Sequence, residues 1–376
     1  MPTPMHVVPA TLPSQYLSKI MPVQHAQIVI PCSDFDATFE ALTAQLGFRV
    51  DMIFPADSPT TAVVSGFGVT LRLETAAHTM GDARVLLRLI TDQSPLVVPV
   101  PGLSIEWVQG ATTVEIPEGK QEFILTRMND ADAWVTGRAG MQYRDLIPGR
   151  YGGRFIGSHI RIPDGGPVPD YVHFHKVRFQ MIFCKTGWVR VVYEDQGEPF
   201  LLQAGDCVLQ PPGIRHRVLE ASAGLEVIEL GCPAIHETLA DHQISLPTSR
   251  VLPQREFGGQ RFARHVAAEA PWAPWHWLGH AAIGFEARDT GITAATSGLA
   301  GAMIVRADID STTPVASHEG EFLFLFVLGG TLQLRSNSLG DHTMRAGVSV
   351  TIPSGNEMSL RAMGHVEFLH VSLPAG

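Results

Sequence analysis

Residues 171–187 read YVHFHKVRFQMIFCKTG. His173 and His175 stand two apart, Gln180 follows five residues after the second, and Gly187 closes the stretch. The setting is apolar and β-like, and residues i and i+2 of a strand point to one face. If either imidazole faces an interior, both do. Buried polar rings must be satisfied, either by hydrogen bonds or by something that they hold together.

The residues that follow, WVRVVYEDQGEPFLLQAGDCVLQPPGIRH (188–216), read as strand, turn, strand, turn, strand. A second passage, SHEGEFLFLFVLGGTLQLRSNSLGDHTMRAGVSVTIPSGNEM (317–358), overlays on the first. With His175 on His318, Gln180 falls on Leu323 and Gly187 on Gly330, while Gly205 meets Gly347 one residue out of register. Pro211 and Pro353 each lie six residues beyond those last glycines, and His216 and Met358 five beyond the prolines. Upstream, Arg144-Asp145 precedes His175 by 31 residues and Arg288-Asp289 precedes His318 by 30. So many matches in order indicate a duplicated all-β unit.

These residues resemble the cupin family, whose two motifs are roughly G(x)5HxH(x)3–4E(x)6G and G(x)5PxG(x)2H(x)3N. The first copy supplies His173, His175 and Gly187, then Gly205, Pro211, Gly213 and His216. The resemblance implies a mainly β chain with two cupin barrels (double-stranded β-helix, or jelly-roll) over roughly 95–376. A metal-binding barrel would span 96–245 and a degenerate, metal-free one 246–376. The departures are informative. Gln180 replaces the usual Glu, Glu220 stands in place of the closing Asn, and the opening glycine fits only with one extra residue, at Gly166. In the second copy the four ligand positions hold Ala316, His318, Leu323 and Met358, and one histidine cannot hold a metal.

Before the repeat, and after an arm of residues 1–20, HAQIVIPCSDFDATFEALTAQLGFRV reads as a strand and then a helix. Ser33 or Asp34 can cap that helix, Phe35, Phe39, Leu42 and Leu46 form one face, and Gly47 stops it. Alternating strands follow to Glu74. The LGF after the helix and the GFG before the last strand resemble a small α+β module, βαβββ, of the vicinal-oxygen-chelate (glyoxalase-like) family, over 21–95. Its metal positions would be His25 and Glu74, but a complete site needs two modules. A packing or dimerisation role is expected.

His173 and His175 from one strand face, with His216 from another strand, suit one divalent ion. Gln180 either joins the shell through its amide oxygen or orients a bound water or substrate. A carboxamide in place of a carboxylate leaves the ion's charge undiminished. Such a face suits a bidentate anionic ligand and resembles the three-histidine iron cupins, which include ring-cleaving and β-diketone-cleaving dioxygenases. Iron(II) is expected by that resemblance, with zinc, nickel, manganese and copper as alternatives, because imidazole accepts them all. Arg178 and Arg215 flank the ligands and are candidates to hold a substrate carboxylate, alongside Gln180 as a catalytic candidate. Trp188 and Tyr193 are read as packing rather than as the cavity mouth, and Cys184 as an inert interior thiol. His159 and Arg161 share a strand face, read as exposed and polar. PWAPWHWLGH (271–280) reads as an interdomain clamp.

Composition limits the rest. Of 376 residues, 45% are apolar and 17% charged, with 36 Gly and 27 Pro, which suits well-buried cores joined by tight turns. A net charge of −10 without a cationic cluster argues against nucleic acid and anionic membranes. Cys32, Cys184, Cys207 and Cys232 form no CxxC pair, so free thiols in a reducing, cytoplasmic setting are expected. No secretory leader pattern and no 18-residue apolar run is present. The function expected is a metal-dependent dioxygenase acting on a small oxygen-chelating acid, phenol or diketone. The rivals are a redox-neutral lyase or isomerase and a non-catalytic binding cupin. A homodimer is expected from strand exchange at barrel edges.

Overall fold

IVIPC, Ile28–Cys32, opens the N-terminal unit as a strand. Asp34, not Ser33, then caps the helix Phe35–Glu40 by accepting from the Ala37 amide at 3.0 Å. The helix widens into a π turn over Ala41–Gln45 and ends before Gly47, whose φ of +77° favours glycine. Strands Arg49–Phe54, Thr61–Gly66 and Val69–Thr75 form an antiparallel meander, and the last takes Ile28–Cys32 as a parallel partner. The expected βαβββ order is therefore present. His25 lies outside the described residues, and Glu74 pairs with Arg72 at 2.5 Å. A parallel pair, Val85–Thr91 with Leu103–Gln109, belongs to the same unit.

This computed structural model describes residues 27–54, 60–75, 85–91, 103–109, 114–128, 134–136, 141–236, 238–241 and 243–374. The chain divides into two units, up to Thr113 and from Val114 onward, and the second holds both copies of the repeat.

The second unit is mainly antiparallel β, in two barrels. In the first barrel, one sheet runs Cys207–Leu209, Phe179–Thr186, Leu225–Cys232, Ile156–Ile162 and Gln142–Asp145. The facing sheet runs Phe200–Gln203, Trp188–Tyr193, His216–Ala221, His173–His175 and Thr238–Ala240. The second barrel is built on two long strands, Phe322–Arg335 and Ser359–Leu373, which pair with each other and bend at register shifts near Gly329 and Gly330. Gly187 and Gly330, matched in the repeat, have φ of +75° and +77°. A Cβ on the first would overlap the Ser222 hydroxyl, and on the second the His365 carbonyl.

The duplication is visible in equivalent backbone hydrogen bonds. Gly213 N to His175 O (3.0 Å) matches Gly355 N to His318 O (2.9 Å), and Gln210 N to Gln180 O (2.9 Å) matches Ile352 N to Leu323 O (3.0 Å). Gly205 N to Cys184 O and Gly347 N to Val327 O are both 2.8 Å.

The apolar runs FQMIFC and FLFLFV lack polar alternation because both their faces are buried. Phe179, Met181 and Phe183 meet Phe322, Phe324 and Phe326 in a core shared by the two barrels. Leu323, Leu325 and Val327 point instead into the second barrel. Two short strands cross between the barrels. Ile124–Thr126, which precedes the first barrel, pairs with Ser349–Thr351 of the second. Ala263–His265, which follows the first barrel, pairs with Cys207–Leu209 inside it. The edge exchange that motivated a homodimer is thus made within the chain.

PWAPWHWLGH is not an interdomain clamp. Its strand, Ala273–Trp277, is the outer member of the second barrel's sheet, and Trp275 and Trp277 alternate with His276 into that barrel's own core. Trp272 alone packs against the shared core, beneath the guanidinium groups of Arg288 and Arg306 at 4.4 and 4.1 Å.

Candidate metal centre

His173 and His216 are cross-strand partners of antiparallel strands, and His175 lies two residues along the first. All three are buried, and one nitrogen from each lies within 4.8 Å of the others. Their ring centroids are 4.3 Å (173–216), 5.2 Å (173–175) and 5.3 Å (175–216) apart.

The surrounding polar atoms select the tautomer. His173 Nδ1 lies 2.8 Å from the Tyr171 carbonyl and His216 Nδ1 3.0 Å from the Ile214 carbonyl. A carbonyl only accepts, so each Nδ1 carries the proton and each Nε2 the lone pair. His175 Nδ1 has the Thr238 hydroxyl at 3.5 Å. Gln210 Nε2 stands 3.0 Å from His216 Nε2 and donates to it, while the Gln210 carbonyl accepts from the Tyr193 hydroxyl at 3.2 Å. Two imidazoles held at Nδ1 by backbone carbonyls, with the third buried beside them, form the donor set a divalent ion takes once Gln210 yields the His216 lone pair. The residues present fit such an ion.

Gln180 is fully buried at the start of Phe179–Thr186, and its amide donates to Glu229 Oε1 at 2.5 Å. Glu229 was not foreseen. It sits on Leu225–Cys232, and the alternation Leu225, Val227, Glu229 puts it on the same inward face as its apolar neighbours. That period-two reading of LEVIEL was the signal available in the sequence. Glu229 also corrects the charge expected here, because a carboxylate beside Gln180 restores the negative charge that the Glu-to-Gln exchange removes.

These residues head a cavity of about 100 Å³. Its walls are aliphatic, with Ile160, Ile182, Val191, Leu202 and Val227 among them, and Tyr193 and Gln210 also line it. Tyr193 is therefore part of the cavity, not packing alone. Burial pushes its phenol well above the usual range, so it serves as a neutral donor. Cys184 matches the inert-thiol expectation, because burial raises its thiol to about 12. His236, not foreseen either, stands edge-on to His175 with centroids 5.2 Å apart, its Nδ1 fixed by the Pro233 carbonyl at 2.9 Å.

The flanking arginines are not brought to the cavity. Arg178 lies in the turn before Phe179 and pairs with Glu321 of the second barrel at 2.7 Å. Arg215 precedes the inward His216, so it faces outward, where it bonds Asp241 at 3.0 Å and covers the Phe174 ring at 4.2 Å. The exposed reading of His159 is also corrected. It is fully buried on the shared side of its strand, between Arg144 (3.2 Å) and Glu226 (2.8 Å). Burial lowers its pKa, and the neutral ring donates to Glu226 and accepts from Arg144. The bond from His159, helped by Lys185, holds the Glu226 carboxyl down at about 2. Arg161 takes the Gln142 amide oxygen at 2.6 Å and covers the Trp134 ring.

In the second barrel, Ala316 and Met358 are bridged through their backbones, and His318 Nε2 bonds to the Ile352 carbonyl at 2.9 Å. His370 stands opposite Leu325 as Glu229 stands opposite Ile182, the equivalent place in the repeat.

No family model matches this chain, and no curated protein matches it significantly. Among solved structures, salicylate 1,2-dioxygenase of Pseudoaminobacter salicylatoxidans in complex with gentisate is similar. Identity is 16%, over 68% of this chain and 83% of that one, with a TM-score of 0.47. Oxalate decarboxylase of Bacillus subtilis is 13% identical over 71% and 81%, with a TM-score of 0.48. That of Lactobacillus farciminis is 15% identical over 70% and 89%, also at 0.48. Likeness this distant assigns no activity to this chain.

Proposed function

We propose that the first barrel is a metal-dependent dioxygenase site, with iron(II) on His173, His175 and His216, acting on a small oxygen-chelating organic acid, phenol or diketone. The observation that carries this reading is three buried imidazoles gathered at the head of an apolar cavity, two of them locked at Nδ1 by backbone carbonyls. Iron(II) held there would supply Lewis acidity toward a chelating substrate and electron transfer with O2. The chain's own residues do the rest. The Tyr171 and Ile214 carbonyls keep two rings in one orientation and tautomer. Gln210, whose carbonyl accepts from Tyr193, donates to His216 Nε2 and would release that lone pair to the ion on binding. Gln180 and Glu229 border the place where a substrate's oxygens would lie, and the aliphatic walls exclude water from the reacting end.

Metal content by mass spectrometry on the native protein and on His173→Ala tests the reading. Near-stoichiometric iron, lost in the variant, is expected, followed by O2 uptake with chelating phenols or diketones. Zinc at that stoichiometry, with turnover in the absence of O2, would favour a redox-neutral lyase or isomerase instead. Tight ligand binding without turnover would favour a binding protein. No metal in either sample after reconstitution would overturn the enzyme readings.

A further inference from the structure

We propose that Glu229 sets the charge of the ligand admitted to the first barrel: a chelator bearing at most one negative charge on an apolar body. This rests on the three-histidine reading of the site.

The cavity walls carry no lysine or arginine among the described residues. The nearby cations are engaged elsewhere. Arg178 is held by Glu321, Arg215 by Asp241, Lys185 by Glu226 and Arg190 by Glu220. Among the described residues, the one carboxylate on the wall is Glu229. Glu229 is aimed inward by strand alternation and pinned by the Gln180 amide at 2.5 Å. A divalent ion on three neutral imidazoles next to this carboxylate leaves a net charge that one anionic oxygen pair neutralises. A second carboxylate on the ligand would find aliphatic side chains, no cation and no room for a hydration shell, and an unpaired charge in such a place is strongly disfavoured. An enol, a phenol or a monocarboxylate with a neighbouring hydroxyl meets the requirement, and a dicarboxylate does not.

Pentane-2,4-dione and malonate form a matched pair. They have the same heavy-atom count and the same chelate ring size, and differ by one charge when bound. The protein is loaded with zinc, without O2, so that binding is read without turnover, and its zinc content is measured first. Calorimetric titrations then compare the wild type with Glu229→Gln, whose amide oxygen can still accept from Gln180. The wild type should prefer the diketone, and E229Q should raise malonate affinity by roughly ten-fold or more while changing diketone affinity by less than about three-fold. A merely structural role for Glu229 would weaken both ligands together.

Equal affinities in the wild type, or an unchanged ratio in E229Q, would overturn the proposal and leave the metal site standing. Zinc bound with neither probe taken up would overturn the chelator class. No zinc on the protein would remove the metal site, and this inference with it. Should E229Q not fold, the wild-type preference decides alone.

Discussion

Gln180 and Glu229 divide between two strands what one carboxylate would do on one. The histidine set was legible because its residues are close in sequence or tied to motif spacing. His173 and His175 share a face by parity, and the proline and glycines before His216 fix its turn. Glu229 was harder to see because its partner lies 49 residues away, and the parity that groups it with Leu225 and Val227 does not say that this face lines a cavity. Arg178 was a candidate only by nearness in sequence to the ligands; it lies in a turn between two strands, and its partner Glu321 is 143 residues away in the second barrel. Arg178→Ala and Arg215→Ala should therefore both retain full metal content. Each should lower stability by about 1 kcal/mol, as half-exposed ion pairs do. Loss of metal from Arg215→Ala, read by mass spectrometry, would place that residue back at the site.

Among the elements, Phe322–Arg335 and Leu225–Cys232 do the most to position the site. The first offers alternate side chains to two cores, and the second sends Val227 and Glu229 into the cavity and Ile228 and Leu230 into the shared core. Both were readable as strands, but their continuous apolar runs left open what covered the second face. The answer is the sister barrel. Phe324, fully buried in the shared core, should cost about 3–5 kcal/mol on replacement by Ala. In urea, the near-ultraviolet signals of both barrels should move to lower midpoint together. Separate shifts would mean that the shared core does not couple them.

At the scale of the whole molecule, buried neutral histidines tie the barrels' stability to pH. His370 is buried with neither ring nitrogen hydrogen-bonded among the described residues, and burial lowers its pKa from the ordinary 6.5 to about 4. His159, His265 and His318 are lowered for the same first cause. The unfolded chain binds these protons first, so stability is full above pH 6.5 and falls as pH drops toward about 4. For His370 alone the loss is of the order of 3 kcal/mol. Denaturation midpoints measured between pH 7 and 4 should fall, and His370→Phe should flatten part of the slope. An unchanged slope in that variant would remove His370 from the account.

The sequence by itself determined the duplicated β unit, the three converging histidines and the turns that carry them, because those depend on strand parity, short spacings and glycine conformations. Only the tertiary structure decided the rest: which strands cross between barrels, what buries the second face of each central strand, where the arginines go, and that Glu229 reaches Gln180. Those outcomes depend on contacts between residues tens to hundreds of positions apart, and local pattern carries no information about partners at that distance.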